Sequence, residues 1–297
     1  MKITDDRTRR VIINSDVANE ADDQFAVVHA MLSPTLDVRG VIAAHFGTGR
    51  TETSQRESRE ELELLGRLLG DTVSIPAVDG APHALVDEVT PVDSPGARLI
   101  IEEARRDDAG PLFLAFLGPL TDLASALLLA PDIAQRDVVL IWIGGPPYGD
   151  IVSFGSWPEF NLKNDIAAAN VVFDSGMEIR QVPANIYRLV SVSYAELRAR
   201  VEPHGALGEY LTQKVHDFNA AHHRVAIESR SLGDSPAIGM MLEPWSAVLR
   251  RQSPVRFAPD GSYAPNPVGG DVFVVESVDT RFLLEDMFAK IAEHAAR

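Results

Sequence analysis

Residues 11–25 of the chain read Val11-Ile12-Ile13-Asn14-Ser15-Asp16-Val17-Ala18-Asn19-Glu20-Ala21-Asp22-Asp23-Gln24-Phe25. A β-branched run is followed by an acidic loop, and a hydrophobic stretch then continues to Leu32. This pattern predicts a buried strand, a loop at its C-terminal end and a buried helix. Open α/β sheets bind their ligands at the C-terminal ends of the strands. The acidic loop is therefore the first candidate for a functional site.

The loop places four acidic residues within eight positions: Asp16, Glu20, Asp22 and Asp23. Carboxylates at this spacing repel one another unless a cation or bound protons compensate the charge. Acidic residues also cap helices, and that role alone would explain Asp22 or Asp23. Capping does not explain all four, so we predict a metal site at this strand end.

The remainder of the chain repeats the order of strand, loop and helix. Apolar strands are predicted at 38–44, 73–78, 111–117, 138–143, 178–183 and 271–278, with a closing helix at 280–295. We further predict an irregular segment at 151–163 and a mainly helical region at 194–230. Alternation of this kind predicts an α/β fold with an open, mainly parallel, doubly wound sheet. No repeat or linker divides the chain, so we expect one domain over residues 1–297.

The composition argues against several classes of protein. The net charge is −16, with four lysines and no basic stripe, which argues against a nucleic-acid partner. The chain has no cysteine, so disulfides, thiolate catalysis and zinc–thiolate sites are excluded. With 297 residues, 45% of them hydrophobic, the chain can bury a large core.

The sequence also carries expectations about location and assembly. The first ten residues are charged and lack the apolar segment of a signal peptide. No apolar run reaches the roughly 18 residues that a membrane-spanning helix needs. We therefore expect a cytoplasmic protein with no membrane partner. We also expect a homo-oligomer, either a dimer or a tetramer.

The acidic loop resembles the N-terminal signature of the inosine–uridine-type nucleoside hydrolase family, D-x-D-P-G-x-D-D. Asp16 matches the second aspartate of that signature, and Asp22-Asp23 match its closing pair. The loop between them is two residues longer than in the signature and reads Val-Ala-Asn-Glu-Ala. Its N-E-x-D-D-Q form resembles a divergent branch of the same superfamily.

Four further segments resemble family motifs and follow in the family's order. They are Leu117-Gly118-Pro119-Leu120-Thr121-Asp122-Leu123, Ile143-Gly144-Gly145, Glu159-Phe160-Asn161 with Asp165 beyond it, and Gly233-Asp234-Ser235-Pro236. The resemblance covers nearly the whole chain. Five segments in the right order make it more specific than the acidic loop alone.

The resemblance implies an open α/β sheet, a calcium ion at the strand ends and hydrolysis of the N-glycosidic bond of a ribonucleoside to ribose and base. It implies calcium ligands at Asp16, Asp23, Asp234 and the backbone carbonyl of Leu117, a general base at Asp22 that activates a calcium-bound water, and ribose-binding residues at Glu159 and Asn161. Calcium takes about six to eight oxygens, so this set leaves room for water and sugar hydroxyls. Negative charge around the sugar favours an oxocarbenium-like transition state.

The half of the site that would contact the leaving base departs from the family pattern. The family asparagine after the second strand falls near Gly47. The histidine that precedes the third calcium aspartate in purine-active members is replaced by Gly233. The asparagine after the Gly-Gly turn has no clear match, although Asp150 and Ser153 lie nearby, and we take Asp150 as a candidate substrate contact.

Three histidines, His45, His222 and His223, are candidates for a leaving-group acid, although a surface or packing role is the more common one for any single histidine. His45 is the first of them because the strand that ends at Ala44 should open onto the same sheet edge as Asp16. We therefore expect poor activity on inosine and adenosine. A substrate whose base leaves readily should be preferred.

Other interpretations stay open at the level of sequence. Asp234 could serve only as a helix N-cap, and Thr121-Asp122 is assigned no chemistry beyond capping. Acid pairs at strand ends also serve metal-dependent phosphotransferases, but no lysine follows a core strand and no phosphate-binding glycine loop is present. The remaining alternative is a catalytically silent, calcium-dependent sugar- or nucleoside-binding module. Retention of Asp22 favours an enzyme over that module.

Overall fold

In the computed structural model, which describes residues 8–107, 110–151 and 157–297, the apolar strands assemble into one central sheet. The strands in chain order are β1 (Arg9–Ser15), β2 (Leu36–Ala43), β3 (Ala77–Asp79), β4 (Leu112–Phe116), β5 (Val138–Ile143), β6 (Glu178–Val182), β7 (Ser191–Ser193), β8 (Ser229–Ser231), β9 (Ala247–Gln252), β10 (Val255–Phe257), β11 (Tyr263–Pro265) and β12 (Val272–Val278). The central sheet has the order β3-β2-β1-β4-β5-β6-β12-β9. Its pairings are parallel except for that of β12 with the edge strand β9.

Helices follow most of the sheet strands and cover the sheet. They are α1 (Asp23–Met31), α2 (Ser54–Leu69), α3 (Pro95–Ala104), α4 (Thr121–Leu129), α5 (Phe160–Asn164), α6 (Ile166–Asp174), α7 (Ala184–Tyr187), α8 (Tyr194–Arg200), α9 (Gly205–His222), α10 (Ser235–Leu242) and α11 (Thr280–Ala295). Among the residues that the structure describes, none of these helices has both the length and the apolar character needed to cross a membrane.

Strand β1 is buried on both faces, and its successive side chains enter different hydrophobic clusters. Val11 and Ile13 pack in the cluster that contains Phe25 of α1, whereas Ile12 packs in the cluster that contains Trp142 of β5. Successive side chains of a strand point to opposite faces of its sheet, so the two clusters are the two layers between sheet and helices. Burial on both faces explains why the strand reads as a continuous apolar run.

The strand order reverses at β1, and this reversal fixes where a ligand can bind. From β1 the chain moves outward through β2 to β3, and it then returns to place β4 on the other side of β1. The chain leaves β1 into α1 on one face and leaves β4 into α4 on the other, which opens a crevice between the strand ends. Asp16 directly follows β1, and Leu117 directly follows β4. Two of the sequence motifs therefore meet at this crevice.

The structure confirms the α/β class and the open, mainly parallel, doubly wound sheet. Some local predictions are wrong. The strand predicted at 73–78 is confined to Ala77–Asp79, and the segment predicted as irregular at 151–163 contains the start of α5. The region predicted as mainly helical at 194–230 ends in β8, and the edge strand β9 was not predicted. Strands this short, polar or exposed carry little hydrophobic pattern.

Candidate active site

The loop after β1 places Asp22 and Asp23 at the start of α1, where the Asp22 side chain does not cap the helix. A turn follows β1, in which the N–H of Asn19 donates to the carbonyl of Asp16 over 2.7 Å. Asp22 then precedes α1, and Asp23 is its first residue. The Asp22 side chain accepts no hydrogen bond from the first turn of α1. It accepts instead from the N–H of Gly233, over 3.0 Å. Helix capping therefore does not account for the Asp22 carboxylate.

Asp234 reaches the same place from a distant part of the chain. It precedes α10, which packs against α1, and its side chain does not cap α10 either. One carboxylate oxygen from each of Asp22, Asp23 and Asp234 lies within 4.8 Å of the others. The interpretation of Asp234 as only an N-cap is therefore wrong. These three carboxylates form a group that could hold a metal ion.

Asp16 and Leu117 lie beside this group and line the same cavity, whose volume is about 460 Å³. Asp16 Oδ2 is buried and has no hydrogen-bond partner among the residues that the structure describes. A Cβ placed on Gly118 would lie 2.7 Å from Asp16 Oδ1, so only glycine allows the chain after β4 to approach Asp16 this closely. The Leu117 carbonyl accepts from Asn161 Nδ2 over 2.6 Å, and its second lone pair remains for another partner.

The electrostatics of the cluster show that it needs compensation. Burial, and next the charge of Asp23, raise the pKa of Asp16 and that of Asp234 well above the ordinary value. Burial raises the pKa of Asp22 to about 8 against the opposing effect of Arg230. Burial raises the pKa of Asp23 to about 6, against a hydrogen bond from Ser15. An all-oxygen donor set with an unpartnered buried carboxylate oxygen fits a hard divalent cation.

Glu159 and Asn161 also line the cavity. Glu159 precedes α5 and is buried, and its carboxylate accepts hydrogen bonds from four donors. These donors are the N–H groups of Asn161, Leu162 and Gly145 and the hydroxyl of Tyr187. A carboxylate offers about four lone-pair positions, so Glu159 has none to spare for a sugar unless Tyr187 moves away. Glu159 therefore positions Asn161 and α5 in the structure as it stands.

His45 does not reach the cavity, contrary to our expectation. Its side chain is fully buried and is not among the residues that line the cavity. Thr121 Oγ1 donates its proton to Asp165 over 2.7 Å, so His45 Nε2 must donate to Thr121 Oγ1. His45 Nδ1 then accepts from the N–H of Gly47. Burial lowers the pKa of His45 to about 4, and the neutral ring with both nitrogens engaged is unsuited to protonate a leaving group.

The other predicted contacts to the leaving base have different positions. Asp150 is exposed and does not line the cavity, so its predicted substrate contact has no support in the structure, and Ser153 lies outside the described residues. His222 Nδ1 engages the carbonyl of Phe218, and its ring stacks on the Phe218 ring. His223, which follows α9, does line the cavity. His223 therefore replaces His45 as the first candidate for a leaving-group acid, because α9 ends at the cavity.

Several residues that line the cavity were not predicted from the sequence to belong to the site. They include Asn19, Tyr187 and Arg230, whereas Glu20, which also lines the cavity, was part of the predicted acidic cluster. Arg230 lies in β8, forms an ion pair with Glu20 and approaches Asp22 Oδ1 to 3.9 Å. Its guanidinium group also lies 4.4 Å from the centre of the Phe218 ring. No motif marks Arg230, whereas Asn19 could have been singled out because it belongs to the longer loop.

Comparison with known proteins gives the family. The model of the inosine-uridine preferring nucleoside hydrolase family matches residues 11–281. The chain is 25% identical over 248 residues to a probable uridine nucleosidase 2 of Arabidopsis thaliana, covering 75% of this chain and 74% of that protein. It is 24% identical over 238 residues to the pyrimidine-specific ribonucleoside hydrolase of Salmonella typhimurium (strain LT2), covering 72% of each.

Solved structures agree on the fold. A purine-preferring ribonucleoside hydrolase from Gardnerella vaginalis has a TM-score of 0.79 with 19% identity, covering 97% of this chain and 99% of that one. A plant nucleoside hydrolase has a TM-score of 0.74 with 23% identity, covering 96% of this chain and 99% of that one. With a family match over residues 11–281 and an acidic cluster at the switch point of the sheet, the chain belongs to the inosine-uridine preferring nucleoside hydrolase family, whose members are hydrolases of N-glycosyl compounds.

Proposed function

We propose that the protein is a calcium-dependent N-ribohydrolase, which cleaves the N-glycosidic bond of a ribonucleoside into free ribose and base. The observation that carries the proposal is the convergence of Asp22, Asp23 and Asp234 beside the unpartnered Asp16 Oδ2, in one cavity at the switch point of the sheet. Family membership sets aside the phosphotransferase interpretation. Calcium as the metal, ribose as the sugar and the role of each residue are parts of the proposal.

Asp16, Asp23, Asp234 and the Leu117 carbonyl are the residues that would hold the ion. All four line the cavity, and each offers an oxygen of the kind that calcium prefers. When bound, calcium supplies positive charge that makes water more acidic and attracts sugar hydroxyls. Other acidic and polar residues also line the cavity and are available to a substrate beside the ion, among them Asn19, Glu20, Asp22, Glu159, Asn161, Ser229 and Ser231.

Asp22 is assigned as the general base. Its Oδ2 is held by the N–H of Gly233, and Arg230 stabilises its charged form. In the proposed step Asp22 accepts a proton from the attacking water, whose oxygen forms a bond to the anomeric carbon of the ribose. The bond from this carbon to the base nitrogen breaks, and its electron pair leaves with the base. The surrounding carboxylates favour the cationic character that develops on the sugar.

Asn161 is assigned as a ribose-binding residue. Glu159 is assigned as the residue that holds Asn161 in position for the ribose. Asn161 Nδ2 donates to the carbonyls of Leu117 and Ile143, which fixes the orientation of its amide beside the predicted metal ligand. Glu159 accepts from the backbone N–H of Asn161 and so supports this orientation. Direct contact of Glu159 with a sugar hydroxyl requires that the Tyr187 hydroxyl be displaced.

The substrate class follows from the family and from the relatives' names. Two curated relatives are named for uridine or pyrimidine ribonucleosides, so uridine is the first substrate to test. Gly233 offers no acid to the leaving base, and His223 is the histidine that lines the cavity. We propose a ribonucleoside or modified nucleoside whose base leaves readily. Cytoplasmic location, homo-oligomerisation and the lack of nucleic-acid partners stay predictions.

The test is release of free ribose from a panel of nucleosides. Protein stripped of metal with a chelator should be inactive, and added calcium should restore hydrolysis of uridine or of an activated nitrophenyl riboside. Calcium binding without hydrolysis of any riboside would favour the silent binding module. Hydrolysis that continues after complete metal removal would contradict the calcium-dependent mechanism.

A further inference from the structure

Asn19 is a buried amide of the acidic loop whose oxygen has no partner. The residue is 4% exposed and lines the cavity together with Asp16 and Asp22. Its Oδ1 is buried and receives no hydrogen bond within the described part of the chain. Removing an amide oxygen from water without a donor is unfavourable, so a ligand that brings a donor to this atom gains free energy. A bound molecule that brings a donor into the cavity would satisfy it.

The backbone of Asn19 holds the side chain in place. Its N–H donates to the carbonyl of Asp16 over 2.7 Å, and its carbonyl accepts from Arg50 Nη1 over 2.9 Å. Both backbone groups are thereby used, and the residue is fixed between the turn after β1 and the segment after β2. The residue is therefore held at the cavity before any ligand arrives, which lowers the entropy lost on binding.

The position of Asn19 links it to the leaving-group half of the site. Asn19 belongs to the loop that is two residues longer than the family signature, and the family's asparagine after β2 is represented here by Gly47, which has no side chain. Arg50, which binds the Asn19 carbonyl, lies three residues after Gly47 and 5.3 Å from the centre of the Phe46 ring. The hydrogen bond from Arg50 thus holds Asn19, at the cavity, next to the segment that follows β2.

We propose that Asn19 determines specificity by accepting a hydrogen bond from an N–H of the leaving base, an inference that rests on the proposed N-ribohydrolase function. The partner is a base with an N–H on its edge, as in uridine and inosine. Nitrophenyl riboside offers no such donor in its leaving group. Asn19 therefore contributes to hydrolysis of the nucleosides and not to hydrolysis of the nitrophenyl compound.

The experiment compares Asn19→Ala with wild type on uridine, inosine and nitrophenyl riboside, all with saturating calcium. We expect kcat/KM for whichever nucleosides are hydrolysed to fall about 10- to 100-fold, the usual effect of losing a hydrogen bond in a buried site. The nitrophenyl riboside value and the calcium affinity, measured by calorimetric titration, should be unchanged. The melting temperature should not fall, because the variant removes an unpartnered atom.

Thr212→Ala is the matched control, since Thr212 Oγ1 is also buried without a partner but lies in α9 outside the cavity. It should leave all three rates unchanged. Three results would overturn the proposal. An equal loss of kcat/KM on all three substrates would show that Asn19 contacts the ribose, and a loss of calcium affinity would show that it is a metal ligand. No loss on any substrate would show that Asn19 has no function in the reaction. If wild type hydrolyses none of the three, the proposed function fails. The affinity of the calcium-loaded proteins for uridine then tests the role of Asn19 without turnover. Equal affinity in wild type and Asn19→Ala would overturn the inference.

Discussion

The N–H of Gly233 donates to Asp22 Oδ2 over 3.0 Å and joins two loops that are 211 positions apart in the chain. The bond explains how Asp22 can stand at the start of a helix without capping it. It also places Asp22 next to Asp234, the residue that follows Gly233. One oxygen of Asp22 is thus fixed by the backbone. The assignment of Asp22 as base and of its neighbours as metal ligands depends on this geometry.

Asp22→Asn should keep calcium binding and lose turnover. The amide oxygen of asparagine can still accept from Gly233, so the loop geometry is retained, but the group no longer accepts a proton at neutral pH. We expect kcat to fall by about 10²- to 10⁴-fold, the usual contribution of a general base. Ribose release and calorimetric calcium titration on the same preparation test this. Loss of calcium binding would instead make Asp22 a ligand, which its place within the group of three carboxylates allows.

Asp23→Ala should abolish metal binding, because Asp23 is one of the three converging carboxylates and is buried to 3% exposure. Elemental analysis of extensively washed wild type and variant gives the metal content directly. Asp132→Ala is a suitable control, since Asp132 is an exposed acid that pairs with Arg105 on the surface. Equal metal content in wild type and Asp23→Ala would refute the site.

The architecture could be predicted from the sequence because strongly apolar strands alternate with helices, and most site residues were predicted from the acidic loop and from the resemblance of five segments to family motifs. Asp16 and Leu117 are placed by β1 and β4, and both strands are unmistakable. His45 lies two residues after the end of β2, but its ring turns toward Thr121 and not into the crevice. Side-chain direction in a loop depends on hydrogen-bond partners far away in the chain. Arg230 could not be predicted for a different reason, because β8 is three residues long and has no apolar pattern.

Metal-free protein should lose stability as pH rises, and calcium should restore it. Burial raises the pKa of Asp22 from 3.8 to about 8 and that of Asp23 from 3.8 to about 6. Between the unfolded pKa of 3.8 and the raised pKa of each group, the folded protein holds a proton that the unfolded chain releases. The free energy of unfolding therefore falls with increasing pH. This stability is fully present below about pH 4 and is lost by about pH 8.

Thermal unfolding at pH 5 and pH 8, with chelator and with calcium, measures this dependence. Calcium should raise the melting temperature more at pH 8 than at pH 5, because the ligands then bind it without releasing protons. Asp22→Asn should flatten the pH dependence in the presence of chelator, since it removes a group that titrates in this range. A calcium-induced shift that is the same at both pH values would contradict the expected linkage.

The leaving-group half of the site leads to the last prediction. A Cβ on Gly233 would lie 2.9 Å from Tyr187 Cδ2 and 3.3 Å from Asp22 Oδ2, so the Tyr187 ring closes the space that a histidine would need. His45 is locked in its neutral form away from the cavity, which leaves His223 as the lining histidine. We expect kcat/KM for nitrophenyl riboside, whose leaving group needs no proton, to exceed that for inosine by about 10²-fold or more, within the usual contribution of general acid catalysis.

His223→Ala and His45→Ala separate the two histidines in that comparison. If His223 assists the base as it leaves, His223→Ala should lower the inosine rate and spare the nitrophenyl riboside rate. His45→Ala should lower both rates together, if at all, because the ring of His45 supports the packing around Thr121 and contacts no substrate. Near-equal rates on the two substrates in wild type would show that an efficient acid is present. A selective loss of the inosine rate in His45→Ala would identify that acid as His45, in which case the ring must leave Thr121 during the reaction.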